Sequence, residues 1–316
     1  MNFYSQDNMP PFEEMIAEQE MGKLPVEEKE GFTFGEWSAV ENEVPLSHSE
    51  LEVKSKMGTV SAITDFGGPK AKRKTSEDTF FVVAQDKHLS VGVIDGVGGI
   101  LFGERATAIG AAVAQKRFRD GDDDIVRVMD HAHMRMTQYA HGGSACAVMA
   151  RIGSEDDPRK VVIGSSGDCK AMTIRGGVKL EEGTTKFQNL AQRKIDEGQG
   201  KPEDYYNDPF VGTLTSALGA SGEHLEEPLD IEFKSEQGDF IVMASDGLWD
   251  NVSEYEVTQL AKECKTAAEL QQKLYDLAHQ RNNADEPFTI QHSADKAVQK
   301  QLKKADNITI AVIELS

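Results

Sequence analysis

Cysteine is scarce in this 316-residue chain: Cys146, Cys169 and Cys264 are far apart and odd in number, and no CxxC pair exists. That excludes a disulfide framework and a thiolate zinc site, and fits a reducing compartment. Long apolar runs are missing too; no stretch approaches the roughly 18–20 residues a membrane span requires. The first residues, Met1 to Gly22, lack the basic-then-apolar order of a signal peptide and the Arg-rich, acid-poor character of a transit peptide. The expectation is therefore a soluble cytoplasmic protein, with the nucleus as a second compartment. Basic residues are also in deficit, 34 against 54 acidic, for a formal net charge of -20. A field of that sign repels phosphate backbones and anionic lipid, so neither nucleic acid nor a membrane surface is expected as a partner.

What is present is a chain with 39% apolar residues, enough for a sizeable core. Residues 1–50 read as an acidic N-terminal extension broken by Pro10, Pro11, Pro25 and Pro45, with one short helix expected over Phe12 to Lys23. From Leu51 onward strand signals dominate. Val91 to Asp95, Ala145 to Met149, Lys160 to Ile163, Phe240 to Ala244 and Asn307 to Ile313 are short apolar runs bounded by Gly, Asp or Ser. Helices are expected over Glu104 to Phe118 and Asp124 to Tyr139. Two more should open at the capping boxes Ser253-x-x-Glu256 and Thr266-x-x-Glu269. Strands and helices come in groups instead of strict alternation. That favours an α+β fold with packed antiparallel sheets. Residues 178–212 are polar and Gly-containing and read as an irregular flap outside the core.

Acidic residues gather at the ends of the strand signals. Glu77-Asp78 precede one run, Asp95-Gly96 follow another, Asp246-Gly247 with Asp250 follow a third, and Asp306-Asn307 precede the last. A single Asp-Gly is most often a tight turn. Several at strand ends, with no His or Cys beside them, point further. Clustered carboxylates repel, burying them unpaired costs several kcal/mol each, and divalent cations remove that cost. All-oxygen ligation favours Mg or Mn over Zn.

The segments Ser76-Glu-Asp78, Asp95-Gly-Val-Gly-Gly99, Gly143-Ser-Ala145, Gly167-Asp168, Leu214-Thr-Ser-Ala-Leu-Gly219, Ala244-Ser-Asp-Gly-Leu-Trp-Asp250 and Asp306-Asn-Ile-Thr309 occur in this order. Together, over about residues 58–315, they resemble the type 2C (PPM) family of metal-dependent protein serine/threonine phosphatases. The resemblance implies two packed antiparallel sheets flanked by helices and a catalytic domain over 51–316. It implies two Mg2+ or Mn2+ ions, with Asp95 bridging them and Asp246 and Asp306 completing the first ion's shell. The carbonyl of Gly96 would serve the second ion, with Glu77 and Asp78 acting largely through water. Asp250 matches a position linked to a further, weaker cation. Arg73, four residues before Glu77, stands at the spacing of the family's phosphate-binding arginine; the rival reading of Lys70-Ala-Lys-Arg-Lys74 is a solvated basic loop. The implied reaction is hydrolysis of phosphoserine or phosphothreonine in a phosphoprotein by metal-activated water, with no phosphoenzyme, carried out by a monomer. The rival readings are a catalytically weak, regulatory phosphoprotein-binding member of the fold and a hydrolase of small phosphate esters.

The chain departs from the pattern at Val97, where many members carry a His thought to protonate the leaving alkoxide; valine has no proton to give. One branch of the family, with mitochondrial members, also carries Asp-Gly-Val-Gly-Gly, so the change does not imply a dead enzyme; the acidic N-terminus argues against import. Ala140, His141 and Gly142 occupy an acidic position that often precedes the Gly-Ser segment, which weakens the case for a third metal. Asp120 to Asp130 imitates a calcium loop but has Ile125 where glycine is required and His131 at position twelve. His131 and His133 point to different helix faces and are not expected to share a metal. Trp249 is expected in the core beneath the cleft.

Overall fold

The computed structural model describes residues 48–71, 76–97, 102–220, 225, 229–302 and 305–316. The expected helix over Phe12 to Lys23, Arg73 and the glycines at 98 and 99 lie outside the described residues.

Thirteen strands are formed by the described residues. A six-stranded sheet runs in the order β1-β2-β13-β10-β7-β8, and a five-stranded sheet in the order β3-β4-β5-β6-β9. The first comprises β1 (His48–Lys54), β2 (Gly58–Asp65), β7 (Lys170–Arg175), β8 (Val178–Thr184), β10 (Phe240–Ala244) and β13 (Ile308–Leu315). The second comprises β3 (Thr79–Ala84), β4 (Leu89–Gly96), β5 (Ala145–Ile152), β6 (Lys160–Ser166) and β9 (Leu229–Lys234). Every pairing is antiparallel. A separate hairpin joins β11 (Phe288–Gln291) to β12 (Ala297–Lys300).

Sequence decides which strands are central. β13 is buried along nearly its whole length, as an uninterrupted β-branched run requires, and sits between β2 and β10. β8, with Lys179, Glu181 and Glu182, takes the edge, where charged side chains block pairing with another chain. Between the sheets lies one core, with Val60, Ile241 and Ile313 from the first and Val91, Val148 and Ile163 from the second.

Helices cover both outer faces. α1 (Gly103–Arg119) and α2 (Ile125–Tyr139) pack Phe118, Met129 and Met136 on the five-stranded sheet. The six-stranded sheet is covered by the single turn α4 (Asp246–Trp249), by α5 (Glu254–Lys262) and by α6 (Ala267–Asn282). The result is the expected α-β-β-α sandwich. Ser253 and Glu256 form the expected capping box. At α6 only half of one forms: Thr266 accepts from the Glu269 N–H, while Glu269 reaches back to the N–H of Lys265 at 2.7 Å instead.

The flap over 178–212 corrects the sequence reading. Its start is the edge strand β8; α3 (Leu190–Asp196) and a 3-10 helix (Pro202–Asn207) follow. Tyr205, Tyr206, Val211, Ala191 and Ile290 of β11 form a small core of their own. Polar composition concealed this because the few aromatics are concentrated in Tyr205-Tyr206 and Phe187, where Phe187 and Tyr205 stack at 4.8 Å.

Candidate active site

The strand order carries the distant acidic residues to one end of the sandwich. In the five-stranded sheet, β3 starts where β4 ends, with Thr79 opposite Ile94, and Gly96 pairs with Ala145. In the six-stranded sheet, Ala244 is opposite both Ile310 and Lys170, and Ile308 opposite Asp65. Asp78, Asp95, Asp246 and Asp306 therefore leave neighbouring strand ends, as does Asp168 in the turn between β6 and β7.

Hydrogen bonds behind the carboxylates tie the strand ends of the six-stranded sheet to one another, and one of them reaches the entry to β3 in the other sheet. Glu77 N–H donates to Asn307 Oδ1 at 2.7 Å, and Asn307 N–H to Asp306 Oδ1 at 2.9 Å. Thr309 N–H donates to Ser245 Oγ at 3.1 Å, and Ser245 N–H to the Thr309 carbonyl at 3.0 Å. The hydroxyls of Thr64 and Thr309 are 2.7 Å apart. Trp249, 2% exposed, donates its indole N–H to the carbonyls of Ala244 and Lys170, each at 3.1 Å. It is core beneath the site, as expected.

Two glycines permit close approaches. A Cβ at Gly96 would lie 2.9 Å from the Gly103 carbonyl carbon and 3.1 Å from Glu77 Cβ, so the end of β4 is pressed against both neighbours. A Cβ at Gly247 would fall 1.8 Å from the Asn307 carbonyl oxygen, a position no side chain can share.

The electrostatics are those of crowded like charges. Burial, then the charges of Asp78, Asp246, Asp168 and Asp306, pushes the Asp95 carboxyl well above the usual range. Burial and the charges of Asp306, Asp168, Asp250 and Asp78 do the same to Asp246. Asp78 is raised to about 6 by burial, against the nearby polar groups of Asp95, Ser245 and Thr309 that pull it down. Asp168 is likewise raised to about 6 by burial and by Asp250 and Asp306, against a hydrogen bond from Cys146. Asp78 Oδ2 is buried with no hydrogen-bond partner among the described residues.

Asp95, Asp246, Asp306, Asp78 and Asp250 are thus close enough to act on one another, with Gly96 and Glu77 against them. Among the described residues, however, no three His, Cys, Asp or Glu side chains are already disposed as a metal-binding group. The donor set still suits a hard cation: it is all oxygen, its charges repel, and one buried oxygen lacks a partner. Asp168 is the residue sequence reasoning passed over, quoting it within Gly167-Asp168 but giving it no role. Its signal was an Asp after Gly between two strands. The histidines and the acidic turn before α2 make other contacts. His133 is buried and accepts from the Gly219 N–H at 3.2 Å, His131 meets the Arg127 carbonyl, and Asp122 pairs with Arg117 and Arg127. The three cysteines are free and buried.

Comparison with known proteins gives a consistent picture. The family model described as Protein phosphatase 2C matches residues 229–286. The chain is 27% identical over 247 residues to Probable protein phosphatase 2C 2 of Arabidopsis thaliana, covering 69% of this chain and 63% of that relative. It is also 27% identical to the Arabidopsis Probable protein phosphatase 2C 26, covering 78% and 80% respectively. It is 24% identical to Protein phosphatase PTC7 homolog fig of Drosophila grimshawi, covering 77% and 81%. The fold resembles serine/threonine phosphatase Stp1 from Staphylococcus aureus at a TM-score of 0.67 and 18% identity, covering 88% of this chain and 99% of that one. It also resembles the catalytic domain of the protein phosphatase PstP, solved in complex with 2 manganese ions, at a TM-score of 0.58 and 21% identity, over 81% and 97%.

Proposed function

We propose that this chain, a member of the type 2C (PPM) family of protein serine/threonine phosphatases, hydrolyses phosphoserine and phosphothreonine in proteins with the help of two divalent cations, Mg2+ or Mn2+. The observation that carries the reading is the convergence of Asp78, Asp95, Asp168 and Asp246, from both sheets, into one neighbourhood where burial and mutual repulsion raise all four carboxyls. Such an arrangement is costly on its own and is offset by positive charge.

In this reading Asp95, Asp246 and Asp306 hold the cations, the Gly96 carbonyl and the Glu77 and Asp78 side chains complete the oxygen set, and Arg73 grips the substrate phosphate as a bidentate donor. When bound, the cations would supply an activated water for in-line attack and neutralise charge on the phosphoryl oxygens. The chain's own groups set the geometry. Thr309, Ser245 and Asn307 fix the strand ends from which the aspartates project, and Trp249 keeps water from beneath them. Val97, half-buried with its N–H donating to the Ser144 carbonyl at 3.0 Å, offers no proton to the leaving oxygen, so solvent must. The catalytic domain is read as residues 51–316, preceded by the acidic extension over 1–50, and the chain as a cytoplasmic monomer. No helix among the described residues is long and apolar enough to cross a membrane.

Hydrolysis of an aryl phosphate and of a phosphoserine peptide tests this. Turnover with Mn2+ should vanish with chelator and with Asp246→Asn. Unchanged turnover in either control would reject the reading.

A further inference from the structure

The 3-10 helix and the β11–β12 hairpin form one unit beside the acidic cluster. Asn207 Nδ2 donates to the Gln299 carbonyl at 2.9 Å, and the Gln301 N–H to Asn207 Oδ1 at 3.1 Å. Tyr206 stands edge-on to His292 with ring centroids 6.2 Å apart. The last residue of β12, Lys300, is only 2% exposed. Its Nζ donates to the Tyr206 carbonyl at 2.8 Å and lies 3.7 Å from Asp250 Oδ2. Asp250 closes the turn that begins with Asp246, and its N–H donates to the Asp246 carbonyl at 2.7 Å. Its charge reaches Asp168, Asp246 and the buried hydroxyl of Tyr205. A lysine so deeply buried is a rare placement that calls for a nearby carboxylate, and Asp250 supplies one at 3.7 Å.

We propose that the Lys300 ammonium is a resident cation of the acidic cluster: it occupies Asp250 in place of a metal ion and latches the hairpin and 3-10 helix against that side of the site. The inference rests on the reading that the cluster takes divalent cations. The resemblance links Asp250 to a further, weaker cation. Here a fixed positive charge already stands 3.7 Å from its carboxylate, and a divalent ion on the same oxygens would be repelled by it. Lys300 is therefore a positioning residue that acts through Asp250, and Asp250 is not a metal ligand in this chain.

Counting bound Mn2+ on the full-length chain, by the electron paramagnetic resonance signal of free Mn2+, tests this. Asp250→Asn should bind as many ions per chain as wild type. Lys300→Met, which keeps length but not charge, should gain one weak site that the double variant with Asp250→Asn loses. Lys300→Arg should match wild type. A lower count in Asp250→Asn, or an unchanged count in a folded Lys300→Met, would overturn the inference. Should Lys300→Met fail to fold by circular dichroism, the Asp250→Asn count decides alone. A wild-type chain that binds no Mn2+ is the distinct result that overturns the phosphatase reading itself.

Discussion

The backbone N–H of Glu77 donates to Asn307 Oδ1 at 2.7 Å, joining residues 230 positions apart in the chain. The bond ties the entry to β3 in one sheet to the entry to β13 in the other, at the end where the carboxylates gather. Asn307→Ala leaves that buried donor without its partner, which costs about 1–3 kcal/mol. Urea denaturation should show the loss as a lower midpoint with an unchanged slope, accompanied by reduced turnover. A midpoint within error of wild type would show that the sheets are held together elsewhere.

Gly247→Ala should be worse than its size suggests. The added methyl would lie 1.8 Å from the Asn307 carbonyl oxygen, so the α4 turn and the start of β13 must separate. Overpacking of this kind costs about 1–3 kcal/mol, and it moves Asp246 away from Asp306. Thermal melts and Mn2+ binding should both weaken. Retention of either at the wild-type value would contradict the geometry.

Acidity should stabilise the metal-free chain near neutrality. Asp78 and Asp168 are held at about 6 in the fold against an ordinary 3.8, and Asp95 and Asp246 are raised as well. The folded state therefore binds more protons than the unfolded state between those values, and stability falls as pH rises through them. The contribution is fully present below the unfolded value and lost above about 6. In chelator, Tm should drop from pH 5 to pH 7, and saturating Mn2+ should flatten the profile. A Tm that climbs over that range in chelator would count against crowded carboxylates.

Asp246→Asn separates stability from activity. It removes one of the mutually repelling charges, so the metal-free variant should melt at a higher Tm than wild type. It should lose turnover and the stabilisation that Mn2+ gives wild type. A metal-free Tm below wild type would mean that the aspartate is held by attraction instead.

Val97→His supplies the missing proton donor. General acid catalysis is worth about 10²–10⁴ where the leaving group needs it, and aryl phosphates need it least. Phosphoserine-peptide turnover should rise relative to aryl-phosphate turnover by at least severalfold. An unchanged ratio would locate the proton source elsewhere.

The acidic site was largely legible because short motifs at strand ends carry their own geometry. Asp95, Asp246 and Asp306 were found by the Gly or Asn that follows each, and the sandwich by grouped β-branched runs. Lys300 was not legible: a lysine in the polar stretch Gln299 to Lys304 gives no sign of burial, and only its tertiary meeting with Asp250 reveals it. The β11–β12 hairpin was missed for the same reason, since strands of 4 residues separated by a polar loop carry little periodicity. In the flap, Gly and charge masked a core built from Phe187, Tyr205 and Tyr206.

The central place of β13 also has a consequence for the order of assembly. This strand bridges β2, from the early part of the chain, to β10, so until it emerges from the ribosome the six-stranded sheet is two fragments with exposed edges. The five-stranded sheet needs nothing beyond β9 and can form while synthesis continues. Asp95 would then wait on a finished half-sandwich for Asp246 and Asp306 to be delivered together, making the acidic end of the molecule the last part to mature.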